Sequence, residues 1–263
     1  MLWTASKIKG YAISASDGKI GTVSDILFDD TNWLVRWLTV DTGTWLSGRT
    51  VLVPSAALAH LDAQKEQCAI KLTMQQIKDS PDVDTERSVT RQMESTSYSH
   101  YGYLPYWNSG FGYIGGLGAM GSYGYMGGMG GARLATSRSR EEDAFLDAER
   151  DHDDVHLRSA AAVTGYHIHA SDGQIGHVAG FILEDTDWTI RYLIVDTQNW
   201  WPGKKVLISP RSVTDIDWNA GQVRVGVDRQ KIKDAPAYDA SLTIDPAYEQ
   251  RFQTYYHIDM ADA

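Results

Sequence analysis

With 263 residues, 43% of them hydrophobic and 22% charged, the chain is long enough for two small folded domains and has the composition of a folded protein. A formal net charge of −10 argues against a nucleic-acid binder, because phosphate contacts need a surplus of Lys and Arg. The single cysteine, Cys68, excludes an intramolecular disulfide or a thiolate zinc site and gives no sign of an oxidising compartment.

The N-terminal "MLWTASKIKGYAIS" lacks a basic region followed by a long apolar stretch, so no signal peptide is expected. From residue 10 onward the chain is written twice. Residues 10–81 align with 165–236 at a shift of 155 without a gap, and roughly 40% of the positions are identical. "ASDGKIGTV" (15–23) returns as "ASDGQIGHV" (170–178), and Asp-Gly predicts a two-residue hairpin loop in each copy. Gly21 and Gly176 are expected where another backbone approaches closely.

The stretches "KIGTVSDILF", "WLVRWLTV", "TVLVP" and "QCAIKL" follow as strands, rich in residues that suit a half-buried pleated surface. Cys68 lies in the last of these, where a buried strand position is expected. Then "TMQQIKDSP" (73–81) and "DRQKIKDAP" (228–236) predict one short helix per copy, N-capped by Thr73 and Asp228 and ended by Pro81 and Pro236. Between the copies the chain turns Gly- and Tyr-rich, then charged, and reads as linker. Its uncharged part, Tyr101–Ala132, is too poor in Leu, Ile and Val for a membrane span. "EEDAFLDAERD" within it is a candidate short helix. The expected organisation is 1–84 as the first repeat, 85–157 as linker, 158–240 as the second repeat and 241–263 as a tail.

Short strands and tight turns around one small core predict a mainly β chain of two small antiparallel barrels, each closed by a helix. The pattern resembles the PRC-barrel family. The residues that carry the resemblance are G(Y)xIxxxDGxIGxV (10–23 and 165–178), the Trp-Arg-Leu-Val-Asp-Thr strand and the Trp–Gly–basic–Val–Leu hairpin (45–52 and 200–207). The Ile-Lys-Asp-x-Pro closure and the segment "YSHYGYLPYW" (98–107) add to it. The resemblance implies an interaction module, as in the H subunit of the purple-bacterial photosynthetic reaction centre and in a ribosome maturation factor. It does not carry either role over, because neither the membrane helix of the first nor the separate N-terminal domain of the second is recognised here.

Three groups of residues invite a site. His167, His169 and His177 replace Ala12, Ser14 and Thr22 of the first copy and are the metal candidates. With Asp172-Gly173 as the loop, His177 points away from His167; with a three-residue loop starting at Ser171, the two pair. "DHDDVH" (151–156) reads as solvated linker, and Asp41 and Asp196 as strand-end turns or Arg partners. Trp45, Trp200 and Trp201 are candidates for an aromatic contact surface, with a structural cover for the sheet as the competing explanation. No nucleophile elbow, phosphate loop or dinucleotide fingerprint is present. The expectation is a non-enzymatic, cytoplasmic scaffold without a cofactor, whose partner is another protein. Self-association and peripheral membrane contact stay open. The alternative is an accessory subunit of a membrane electron-transfer complex, and a third reading is a metal-binding sensor.

Overall fold

The computed structural model describes residues 1–81, 89, 91–106, 156–197, 204–239 and 246–256. Two compact units result: Met1–Asp82 with His156–Ala263, and Val83–Val155. Both repeats thus lie in one unit. No described helix is long and apolar enough to cross a membrane.

The first repeat contains β1 (Leu2–Thr4), the single turn α1 (Ala5–Ile8), β2 (Ala12–Ala15) and β3 (Gly18–Asp29). After these come β4 (Leu34–Asp41), β5 (Thr50–Pro54), β6 (Leu58–Asp62), β7 (Gln67–Ile70) and α2 (Met74–Lys78). The second repeat has the same order: β8 (Leu157–Ser159), α4 (Ala160–Val163), β9 (His167–Ala170), β10 (Gly173–Glu184), β11 (Ile190–Asp196), β12 (Lys205–Ile208), β13 (Val213–Asp217), β14 (Gln222–Val225) and α5 (Arg229–Asp234). Two further helices, α3 (Arg91–Tyr101) and α6 (Pro246–Tyr256), stand at the same shift of 155 from each other. The duplication therefore extends beyond 81 and 236, into segments read from sequence as linker and tail. Glu94/Glu249 and Tyr101/Tyr256 were the available signal. "EEDAFLDAERD" lies outside the described residues.

Each repeat builds a seven-stranded sheet, in the order β5-β4-β3-β2-β7-β6 for the first and β12-β11-β10-β9-β14-β13 for the second. The core is formed by alternating apolar positions, with Ile13, Ile26, Trp37, Leu38, Val51 and Ile77 almost fully buried in the first copy. Two details correct the expected antiparallel barrel. The sheets are mixed, because β2 runs parallel to β7 and β9 parallel to β14. They also stay open, since β5 and β6 do not pair among the described residues, nor do β12 and β13. There the chain turns through a single 3-10 turn, Ser55–Ala57 or Pro210–Ser212. The last carbonyl of that turn is taken by the residue just after β7 or β14: Lys71 N–H donates to Ala57 O, 2.8 Å, and Gly226 N–H to Ser212 O, 2.9 Å.

The seventh strand of each sheet comes from the other repeat. β1 pairs antiparallel with β10 (Leu2 opposite Glu184), and β8 with β3 (Leu157 opposite Asp29). The single-turn helix that follows each strand goes with it, so α1 packs on β10 and α4 on β3. At the centre of this exchange Trp33 and Trp188, both at φ +60°, trade main-chain bonds. Ile190 N–H donates to Trp33 O at 2.8 Å and Val35 N–H to Trp188 O at 2.9 Å. Left-handed backbone at so bulky a residue is strained. It recurs at matching positions because those carbonyls must face the other copy.

Candidate functional site

The duplicated phrase proves to be a joint. Ala15 pairs with Gly18 and Ala170 with Gly173, so the loops are Ser16-Asp17 and Ser171-Asp172, one residue earlier than Asp-Gly chemistry predicts. Tertiary bonding decides the shift. Asp17 accepts the Met74 N–H at the start of α2, 2.7 Å, and Asp172 accepts the Arg229 N–H at the start of α5, 2.8 Å. That backbone bond, joined by the Arg229 guanidinium, holds the Asp172 carboxyl below the usual carboxylate range although desolvation opposes it. Next, Ile20 and Ile175 fall in a bulge and turn into the core, 2% and 0% exposed. Gly21 and Gly176 then sit where a Cβ would collide with the carbonyl of Asp41 or Asp196 on the neighbouring strand. The close approach expected from sequence is present.

The other shared motifs are also structural. Thr73 forms a capping box with Gln76, and Asp228 caps α5 through Lys231 N–H at 2.7 Å. Arg49 and Lys204 reach the carbonyls at the far ends of the same helices, on Lys78, Ser80 and Lys233. Arg36 pairs with the buried Asp29 at 2.9 Å, and Arg191 with Glu184 and Asp187. Asp41 accepts the Gly43 N–H at 2.8 Å, a strand-end turn as expected. Cys68 is fully buried in β7, and burial pushes its thiol up to about 12, which leaves it protonated and inert.

The bulge also settles where the histidines stand. Skipping Ile175 places His177 opposite His167 on the neighbouring strand, and Asp196 opposite His177 on the other side. Pairing is thus reached from a two-residue loop plus a bulge, a combination not considered from sequence. His169 lies opposite Gln174, whose amide meets His167 Nδ1 at 3.0 Å. Among the described residues no group of three or more His, Cys, Asp or Glu side chains is placed to hold a metal. Trp45 is half-buried at the turn after β4, where its N–H donates to Thr42 O at 3.2 Å. Trp200 and Trp201 lie outside the described residues, as do residues 151–155 of "DHDDVH".

The densest polar chemistry lies where the repeats meet, and sequence reading missed it. Asp30 accepts from Arg158 Nε at 2.8 Å and meets His156 Nδ1 at 3.0 Å. At the matching place Asp185 accepts from Trp3 Nε1 at 2.9 Å and from the Met1 ammonium at 2.6 Å. Burial pushes the Asp185 carboxyl up, but those two donors outweigh it and hold the group below the usual carboxylate range. Asp25 adds a third anchor, accepting the Ser159 hydroxyl and, at 3.2 Å, the Ala161 N–H. Arg158 also lies over the Trp218 ring, 4.1 Å from its centroid. A cavity of about 270 Å³ opens along this seam, lined by Ala5, Ile26, Ala160 and Phe181 with Asp25 and Lys9 as its charged members. Phe28 and Phe181 meet across the seam at 5.5 Å.

No curated protein matches the chain. Residues 4–68 match the family model of the PRC-barrel domain, a span from β1 into β7 that covers the hairpin, the bulge and the long central strands. Residues 4–68 therefore form a domain of the PRC-barrel family.

Proposed function

We propose that the protein is a non-enzymatic interaction scaffold, made of two PRC-barrel repeats that act as one rigid body toward another protein. The observation that carries this reading is the PRC-barrel match over residues 4–68, since that domain suggests a protein-interaction module. Residues 158–240 supply the second repeat in this proposal, on the strength of the shared strand order and the shared positive-φ Trp. The polar residues at matching positions support it as well. Asp17, Asp172, Arg49 and Lys204 all brace helix ends, so the motif residues serve rigidity and leave recognition to the places where the copies differ. The segments 42–49 and 197–204 are such places: Trp201 stands where the first copy has Leu46, beside the shared Trp45 and Trp200.

The test is affinity capture with the full chain from the cells that make it, with partners identified by mass spectrometry. Trp45→Ala and Trp201→Ala are then compared with the parent protein. The expected result is a specific partner whose capture falls at least about tenfold, with a melting temperature within a few degrees of the parent. Capture undiminished by both substitutions, or lost only in step with stability, overturns the role of these tryptophans.

A further inference from the structure

The exchanged segments are short, yet each is held by three kinds of bond. Backbone pairing fixes register over three residues, Leu157–Ser159 on β3 and Leu2–Thr4 on β10. A carboxylate just past the end of each long strand, Asp30 or Asp185, grips the residue before the incoming segment and the segment's second residue. Behind these, the buried Ala160 and Val163 of α4, or Ala5 and Ile8 of α1, pack as the segment turns away. The two segments, Leu157-Arg158-Ser159-Ala160 and Leu2-Trp3-Thr4-Ala5, share the pattern Leu-x-Ser/Thr-Ala. The hydroxyl position serves in the first repeat, where Ser159 reaches Asp25 and also caps α4 through Ala162 N–H at 3.0 Å. The second repeat has Gly180 in place of Asp25, and there the Thr4 hydroxyl meets the Tyr238 hydroxyl at 3.4 Å instead, so the two docking sites are built alike but bonded differently.

We infer that the edge of β3, with Asp25 and Asp30, is a docking surface for a Leu-x-Ser/Thr-Ala strand-and-turn carried by a sister repeat. The chain is a fused dimer on this view. Its two halves hold each other non-covalently, and residues 83–155 are not required to keep them paired. Docking on β3 differs from docking on β10 in the Asp25–Ser159 bond and in the Arg158 guanidinium set between Asp30 and the Trp218 ring, and these are the contacts to test. Hydrogen bonds to charged groups outweigh neutral ones when they are shielded from water.

The experiment uses the folded full chain with a site-specific protease sequence inserted in the Gly-rich run 127–131. After cleavage the halves are expected to stay together as a one-to-one complex in native mass spectrometry and size-exclusion chromatography at micromolar concentration, and to separate only in denaturant. Asp25→Ala and Arg158→Trp, the latter copying the residue at the equivalent Trp3, are each expected to speed separation of the cut halves about tenfold or more. A synthetic peptide of residues 156–164 is expected to compete for the cut Asp25 parent and not for Asp25→Ala. Circular dichroism of the uncut variants confirms that they remain folded, and Asp25→Asn keeps the side-chain shape if Asp25→Ala does not fold. Halves that drift apart on cleavage overturn the inference. So do halves whose separation is indifferent to both substitutions, because something other than this surface then holds them.

Discussion

At the scale of the residue, the glycines of the duplicated phrase are under the hardest constraint. Gly21 and Gly176 lie against the carbonyls of Asp41 and Asp196, and those atoms belong to strand backbone that cannot swing aside. Gly21→Ala and Gly176→Ala are each expected to cost about 1–3 kcal/mol in urea denaturation through overpacking. Gly176 carries the added strain of φ +156°. An unchanged midpoint for Gly21→Ala would show that the neighbouring strand yields. Sequence reading anticipated this close approach, because a glycine kept in both copies outside the loop has few other uses. The reverse holds for Asp17. Asp-Gly suggested the loop itself, but the carboxylate is spent on a helix 57 residues further along, a contact that no local pattern announces.

At the scale of the element, helix ends carry the repeat. α2 is a five-residue helix, too short to persist alone, and it is pinned at both ends. Thr73 and Asp17 take its first N–H groups, while Arg49 takes carbonyls at its end. Asp17→Ala is expected to lower stability by about 1 kcal/mol, the usual worth of a lost cap, read as a drop in urea midpoint with an unchanged slope. A neutral result would mean that water replaces the carboxylate at no cost. The Thr73 and Asp228 caps were legible from side-chain chemistry alone. α3 and α6 were not, because their surroundings suggested linker and tail. Tertiary packing makes the helix in α6: the Tyr192 hydroxyl donates to Glu249 at 3.0 Å, and Phe252 meets the Tyr192 ring at 4.7 Å.

At the scale of the whole molecule, one acid of the seam, Asp185, couples fold to pH. Asp185 has its folded-state carboxyl held below its ordinary value. Its stabilisation is therefore fully present above the unfolded pKa, near 4, and is lost as pH falls through the lower folded value. Asp185→Asn is expected to flatten the acid limb of the stability profile below about pH 4 and to leave its shape at neutral pH little changed. Chemical denaturation at a series of pH values reads this directly. An acid limb as steep as the parent's would place the acid sensitivity elsewhere. None of the seam acids stood out in the sequence. Asp30 and Asp185 occupy matching positions in the two copies, and what they share is a grip on the opposite copy.

By itself the sequence determined that one unit is built twice, that each copy is mainly strand, and the longer strands and the helix caps that form it, but not β1, β6, β8 or β13. These are local matters of alternation, turn chemistry and side-chain capping, and a gapless repeat at one spacing tests each against the other. The tertiary structure alone decided that the copies trade their first strands, that the sheets are mixed and open, and that a bulge faces His177 toward His167. Each of these depends on which distant backbone groups find each other. Three-residue strands such as Leu2–Thr4 carry too little pattern to announce a partner on the other side of the chain. The phrase "ASDGKIGTV" was visible from the start as something the chain needs twice; only the fold showed that it fastens a helix, fills a core and lets two strands touch.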